Sequence, residues 1–216
     1  MSLLEKTISQ IDAANVEDPN MVKDENGKEW PKELLYSVRM TDMLDRYRPD
    51  ADDVAKISMR GQHIQRWTSD RKTFPMNRQG YLQWRTQLYK FHANTTATIM
   101  QQVGYDEESI ERVKKSVGKR GIKVNPDTQL LEDVTDLVFL EHYMLAFAER
   151  HPEYDEDKWL DIIRKTWQKM SSAGQQFALE GNIKFPEFIP QNLFVIVFFN
   201  DVPPCSENSS TPIFLI

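Results

Sequence analysis

From Leu4 to about Gly174, apolar side chains return at helical spacing in one segment after another, and no pair of strands is legible before residue 185. A chain patterned this way buries its apolar stripes by packing helix on helix, so the expectation is an all-α fold. "LLEKTISQIDAAN" puts Leu4, Ile8 and Ile11 on one side, and "VEDPNMVKDENGKEW" reads as a polar loop. Pro31 suits a first helical turn, and "KELLYSVRMTDMLDRY" follows with Leu35, Val38, Met43 and Leu44 near one face. Asp50 is placed to cap the next helix, which is expected to run through "ISMRGQHIQRW" to about Trp67. After the loop "TSDRKTFPMN" comes the long aromatic helix "RQGYLQWRTQLYKFHANTTATIMQQVG". Asp106 caps "EESIERVKKSVGKR", with Gly104 and Gly121 at its ends. "NPDTQLLEDVTDLVFLEHYMLAFAERHPEY" is the most apolar helix, and "DEDKWLDIIRKTWQKMSSAG" closes the series. That makes about seven helices in a single domain over residues 1–185.

Composition agrees. Eight glycines in 216 residues are too few for a turn-rich all-β protein, and the length suits one domain with an added tail. The single cysteine, Cys205, rules out an internal disulfide and a cysteine zinc cluster, as befits a reducing compartment. The start has no basic stretch followed by an apolar core, so no secretory signal is expected and the placement is cytoplasmic. Residues 186–216 change character, with recurring prolines and an apolar run from Leu193 to Phe199. That run is far shorter than the roughly 20 residues of a membrane span. It reads as a strand, a docking segment or an aggregation-prone stretch, or as the product of an alternative exon or misread gene boundary.

The net charge of −6 hides a basic middle: residues 60–123 hold 13 Lys and Arg against 5 Asp and Glu, a local balance of +8. Arg60, Arg66, Arg71, Arg78, Arg85 and Lys90 surround Trp67, Tyr81 and Trp84. Guanidinium forks suit phosphate, and indole or phenol faces suit a stacked base. Arg60, Arg66, Arg85 and Lys90 are therefore the candidate anion binders, with Trp67, Tyr81 and Trp84 as stacking partners for a nucleotide or other phosphorylated small molecule. The competing reading is an aromatic core with arginine stems packed over it. Nucleic acid fits less well, because the whole chain is acidic and carries no RNA-binding signature.

Two histidines fall in this region. His63 lies one turn from Met59 and from Trp67, and His92 follows Leu88 by four, so both expect apolar company. Each is either a packed, hydrogen-bonded ring or a working one. Asp133 shares a face with Leu130, Leu137, Leu140 and Met144, and a carboxylate in such a stripe needs a partner or a metal. Arg39, Arg60 and Arg85 are candidate partners. Glu132 is expected in more polar surroundings, and His142 and His151 to be structural or exposed. There is no nucleophile elbow and no phosphate-cradling glycine loop.

The blocks "IDAANVEDPN", "ELLYSVRMTDML", "RGQHIQRW", "QLLEDVTDLVFLEHY" and "IIRKTWQKMS" resemble, in order over about residues 8–178, those of domain of unknown function 4202. Some bacterial members carry a glutamyl-tRNA synthetase-like label, which would imply an RNA-associated protein. This chain lacks the paired synthetase motifs, and "KMSS" at Lys169–Ser172 falls at a helical end. A more distant resemblance is to the HD phosphohydrolase superfamily, whose helices converge a histidine, a His-Asp pair and a later aspartate on a divalent metal. "YSVRM" from Tyr36 resembles the first motif with tyrosine for histidine, and "QHI" the second with Ile64 for aspartate; Asp133 or Asp136 would stand for the last. What the resemblance leaves is a reduced set, His63, His92 and Asp133. That set would hold Mn, Fe, Co, Zn or Mg, or act as the acid–base group of a hydrolase, if the helices converge. The alternative is a degenerate site on a retained scaffold, a binder or interaction protein without catalysis.

Overall fold

The computed structural model describes residues 1–186. The chain divides into two compact units, Met1–Val134 and a second beginning at Thr135. Among the described residues there are nine α-helices and one short hairpin, where the sequence pattern had suggested about seven helices and no strands. None of these helices is long and apolar enough to cross a membrane. The apolar run Leu193–Phe199 lies outside the described residues.

In the first unit α1 (Leu3–Asn15) opens with a capping box: the Ser2 hydroxyl accepts from the Glu5 N–H, and the Glu5 carboxylate accepts from the Ser2 N–H. The segment expected as a loop folds into a hairpin, β1 (Met21–Lys23) antiparallel to β2 (Glu29–Pro31), with Val22 opposite Trp30. Asp24 closes its turn by accepting from the N–H groups of Asn26 and Lys28 and from the Trp30 indole. Three-residue strands with no fully buried residue leave no alternating apolar signature, which is why the pattern hid them.

Helix α2 (Lys32–Tyr47) buries Leu35, Tyr36, Met40, Met43 and Leu44, with Val38 half-buried. Helix α3 (Asp53–Gly61) is capped by Asp52, whose side chain accepts from the Ala55 N–H, and not by Asp50. It stops at Gly61, six residues short of Trp67. Helix α4 (Arg78–Val103) is capped by Asn77 and ends at Gly104 in the left-handed region, φ +101°. Asp106 caps α5 (Glu107–Val117) as its position suggested. Ile11, Val54, Ile57, Ile64, Met100, Ile110 and Val113 interlock α1, α3, α4 and α5 in one core. Each such side chain fully removed from water contributes roughly 1.5–3 kcal/mol.

The apolar helix α6 (Pro126–Val138) gives way to a π-helical turn at Phe139–Tyr143 before α7 (Met144–Glu149). In the second unit Phe147 packs edge-on against Trp159 at 5.7 Å and against Phe139 at 6.0 Å. His151 stacks on Tyr154 at 4.6 Å. Helix α8 (Glu156–Lys169) ends before Gly174, and Ser171 caps a separate α9 (Ser172–Phe177).

Candidate functional site

The end of α3 lies unusually close to α4. A Cβ on Gly61 would sit 2.4 Å from the Thr96 hydroxyl, so only glycine lets the two backbones meet there. The chain then turns instead of continuing as helix. The Ile64 N–H donates to the Gly61 carbonyl, and Gln65 takes a left-handed conformation, φ +52°, pinned by its N–H to the Asn15 side chain. This turn sets His63 between α2 and α4. Tyr36 stacks on one face of its ring, with centroids 4.1 Å apart and planes 15° apart, and the His92 ring lies 5.8 Å away.

The hydrogen bonds fix the histidine tautomers. An Arg66 guanidinium N–H can only donate, so the His63 Nε2 at 2.9 Å accepts and carries no proton. The His63 proton is therefore on Nδ1, which donates to Glu33 Oε2 at 3.2 Å. His92 Nδ1 donates to the Ile64 carbonyl at 2.9 Å, which leaves His92 Nε2 as a buried lone pair with no hydrogen-bond partner. Tyr36 donates to Gln62 Oε1 at 2.9 Å. Burial, reinforced by Arg66, Lys119, Lys32 and Arg85, holds the His63 imidazole well below its ordinary pKa. Burial, with His63 and Arg66, takes His92 down to about 3. Burial raises Glu33, against the opposing pull of Arg66 and Lys32. At neutral pH both rings are uncharged, so the His63–Glu33 contact is a hydrogen bond from a neutral imidazole, not an ion pair.

Around the rings lies an excess of cations. Among the described residues the Arg85 guanidinium meets the hydroxyls of Tyr81, at 3.3 Å, and Tyr89, and no carboxylate. Lys119 reaches in from the end of α5. Its backbone is left-handed, φ +53°, at a helix-terminating position where glycine is the usual residue. The Lys119 N–H donates to the Ser116 carbonyl and the Arg120 N–H to that of Lys115, the paired bonds of a Schellman ending. A lysine in this conformation costs on the order of 1 kcal/mol relative to glycine. The turn delivers a side chain only 7% exposed onto Glu132 at 2.7 Å. Glu132 is thus buried and ion-paired, not in the polar surroundings its position had suggested.

The anticipated residues separate. His63, His92, Arg66 and Arg85 gather in this cluster, together with Glu33, Gln62 and Lys119, which pattern alone did not flag. Arg60 does not join them: it makes a two-pronged ion pair with Asp12, at 2.6 and 2.7 Å, tying α3 to α1. Asp133 lies among other partners than these cluster residues. It accepts from Gln129 at 2.8 Å and from the Tyr47 hydroxyl at 3.1 Å. Tyr47 lies eleven residues beyond Tyr36 on α2, roughly 16 Å along the helix axis. Tyr81 is buried beneath Arg85, and Trp84 donates to the Ser69 hydroxyl while Arg66 sits 5.3 Å over its ring. Trp67 is half-buried in a short 3-10 turn, and Lys90 faces a different groove.

These positions test the metal that an HD-like fold implies, and the residues do not fit it. Among the described residues no three His, Cys, Asp or Glu side chains are grouped to hold an ion. His63 spends both ring nitrogens on protein partners, and Ile64, in the aspartate's place, is wholly buried.

The family profile described as "Domain of unknown function (DUF4202)" matches residues 5–189. No curated protein and no solved structure matches the chain.

Proposed function

The chain belongs to the DUF4202 family, and on that footing we propose that it is a cytoplasmic binder of a phosphorylated small molecule, built on a helical scaffold of HD type that has lost its metal set. The reading is carried by Arg85, a half-buried guanidinium whose described partners are two neutral hydroxyls. Such a cation beside Arg66, Lys119 and two uncharged imidazoles is costly without a counter-charge, and a phosphate group supplies both the charge and the acceptors. Arg66 and Arg85 hold the anion. The stack of Tyr36 on His63, the two positions matched to the HD motifs, supports the scaffold. A metal-dependent hydrolase through His63, His92 and Asp133 lacks equivalent support, since Asp133 is engaged by Tyr47 and Gln129.

A thermal-shift screen of nucleotides, sugar phosphates, inorganic phosphate and tRNA tests the reading. The expected result is stabilisation by at least one phosphorylated small molecule, unchanged by chelator, with affinity lowered by on the order of tenfold or more in Arg85→Gln. Stabilisation by tRNA alone would favour an RNA-associated protein, and a response to none of them would favour a scaffold. Either result would overturn the proposal.

A further inference from the structure

A second concave basic surface lies between α4 and α5, with Tyr89 in its lining. It has a volume of about 420 Å³ and is lined by both helices and by Gly118 and Arg120 just beyond α5. That volume falls within the range of small-molecule pockets. Four cations line it: Lys90, Lys114, Lys115 and Arg120. Lys114 is paired with Glu111, one turn earlier on α5. Among the described residues Lys90, Lys115 and Arg120 make no close ion pair and no side-chain hydrogen bond. Glu111 is held below its ordinary pKa chiefly by the Lys114 hydrogen bond, with the fields of Lys114, Lys115 and Arg120 added, so these charges converge on one spot. The floor is kept open by small residues: Ala93 is buried, and a Cβ on Gly118 would meet the Lys114 carbonyl at 2.6 Å. Asn94 adds a neutral amide donor on the α4 wall.

The geometry points to this groove as a binding site for a compact polyanion of the diphosphate or triphosphate class, with Lys90, Lys115 and Arg120 as its cationic contacts and Glu111 as an internal counter-charge that the ligand displaces from Lys114. Three uncompensated cations in so small a volume match an anion of two or three charges better than a single carboxylate. The same ending of α5 serves both sites, because the left-handed turn at Lys119 sends that side chain inward and leaves Arg120 at the groove. Apart from Tyr89, which lines the groove and also meets Arg85, the groove's residues are separate from those of the proposed histidine-side site, so each can fail alone.

The test uses the full chain, with inorganic pyrophosphate as probe, calorimetric titration for affinity and amide shifts in NMR spectra for location. Pyrophosphate is expected to shift the Ala93, Asn94 and Gly118 amides. The double charge reversal Lys115→Glu/Arg120→Glu should weaken binding by at least about tenfold, and Glu111→Gln should tighten it several-fold. Arg85→Gln should leave this binding unchanged. These substitutions are on exposed or half-exposed positions, and an unaltered unfolding midpoint confirms that the variants fold. The proposal is overturned if pyrophosphate does not bind, if binding is lost in Arg85→Gln but kept in the double variant, or if Glu111→Gln weakens it. It is equally overturned if tRNA binds at Lys90, Lys115 and Arg120 while pyrophosphate does not.

Discussion

His63 and His151 make the same local contacts and have opposite characters. Each stacks on a tyrosine, Tyr36 at 4.1 Å and Tyr154 at 4.6 Å, and each places Nδ1 against a glutamate, Glu33 at 3.2 Å and Glu153 at 2.9 Å. The His151 side chain is 27% exposed and its glutamate 61%, against 9% and 5% for His63 and Glu33. In the exposed pair Glu153 is held below its ordinary pKa, first by the hydrogen bond from His151. In the buried pair the carboxyl rises and the imidazole falls, because removal from water penalises both charges and Arg66, Lys119, Lys32 and Arg85 penalise the imidazolium further. A stacked, carboxylate-bound histidine is thus an ordinary packing unit. Burial among surplus cations is what makes one of the two a candidate site.

The comparison can be broken most forcefully by deleting each ring. His63→Ala strips Glu33 and Arg66 of a buried partner and empties the stack on Tyr36. A loss of about 2–4 kcal/mol of unfolding free energy is expected. His151→Ala removes a solvent-screened pair and should cost no more than about 1 kcal/mol. Chemical denaturation of both variants measures this, and equal losses would erase the distinction.

The pH dependence of stability sharpens it. His63 and His92 have folded pKa values below the unfolded value of roughly 6.5. Below that pH the unfolded chain takes up protons that the folded protein refuses, so their contribution is full above it and lost as pH falls. Each group imposes a slope of up to about 1.4 kcal/mol per pH unit. Glu33, raised by burial, takes up its proton more readily folded than unfolded and so acts in the opposite sense above its unfolded value of roughly 4.3. His92→Leu should remove about half of the histidine slope.

Much of the helical plan was legible because periodicity and caps are local. Ile11, Leu35 and Leu44 are buried as their spacing implied, and Asp106 caps α5. The end of α3 was not legible. Arg60, Gln62 and Gln65 are competent helix formers, and what stops the helix is the approach of Thr96 to Gly61 from a residue far along the chain. The site was half legible. His63, His92, Arg66 and Arg85 stand out by type in a basic aromatic block. Glu33 sits on the first turn of α2 as an ordinary helix-starting acid, and Lys119 joins through a left-handed turn that no pattern encodes. Arg60 and Asp133 misled for one reason: residue type announces that a charge needs a partner but not which one, and Asp12 and Tyr47 are the partners that the packing provides.

Histidine side-chain NMR at pH 7, recorded before and after adding the phosphorylated compound that most stabilises the protein, puts the histidine-side site to its most direct test. Before addition, His63 and His92 should be neutral with the proton on Nδ1. On addition, the Arg85 guanidinium signal and both ring signals should move while those of His151 stay put. Charged or Nε2-protonated rings in the free protein, or a response at His151 with none at Arg85, His63 and His92, would contradict it.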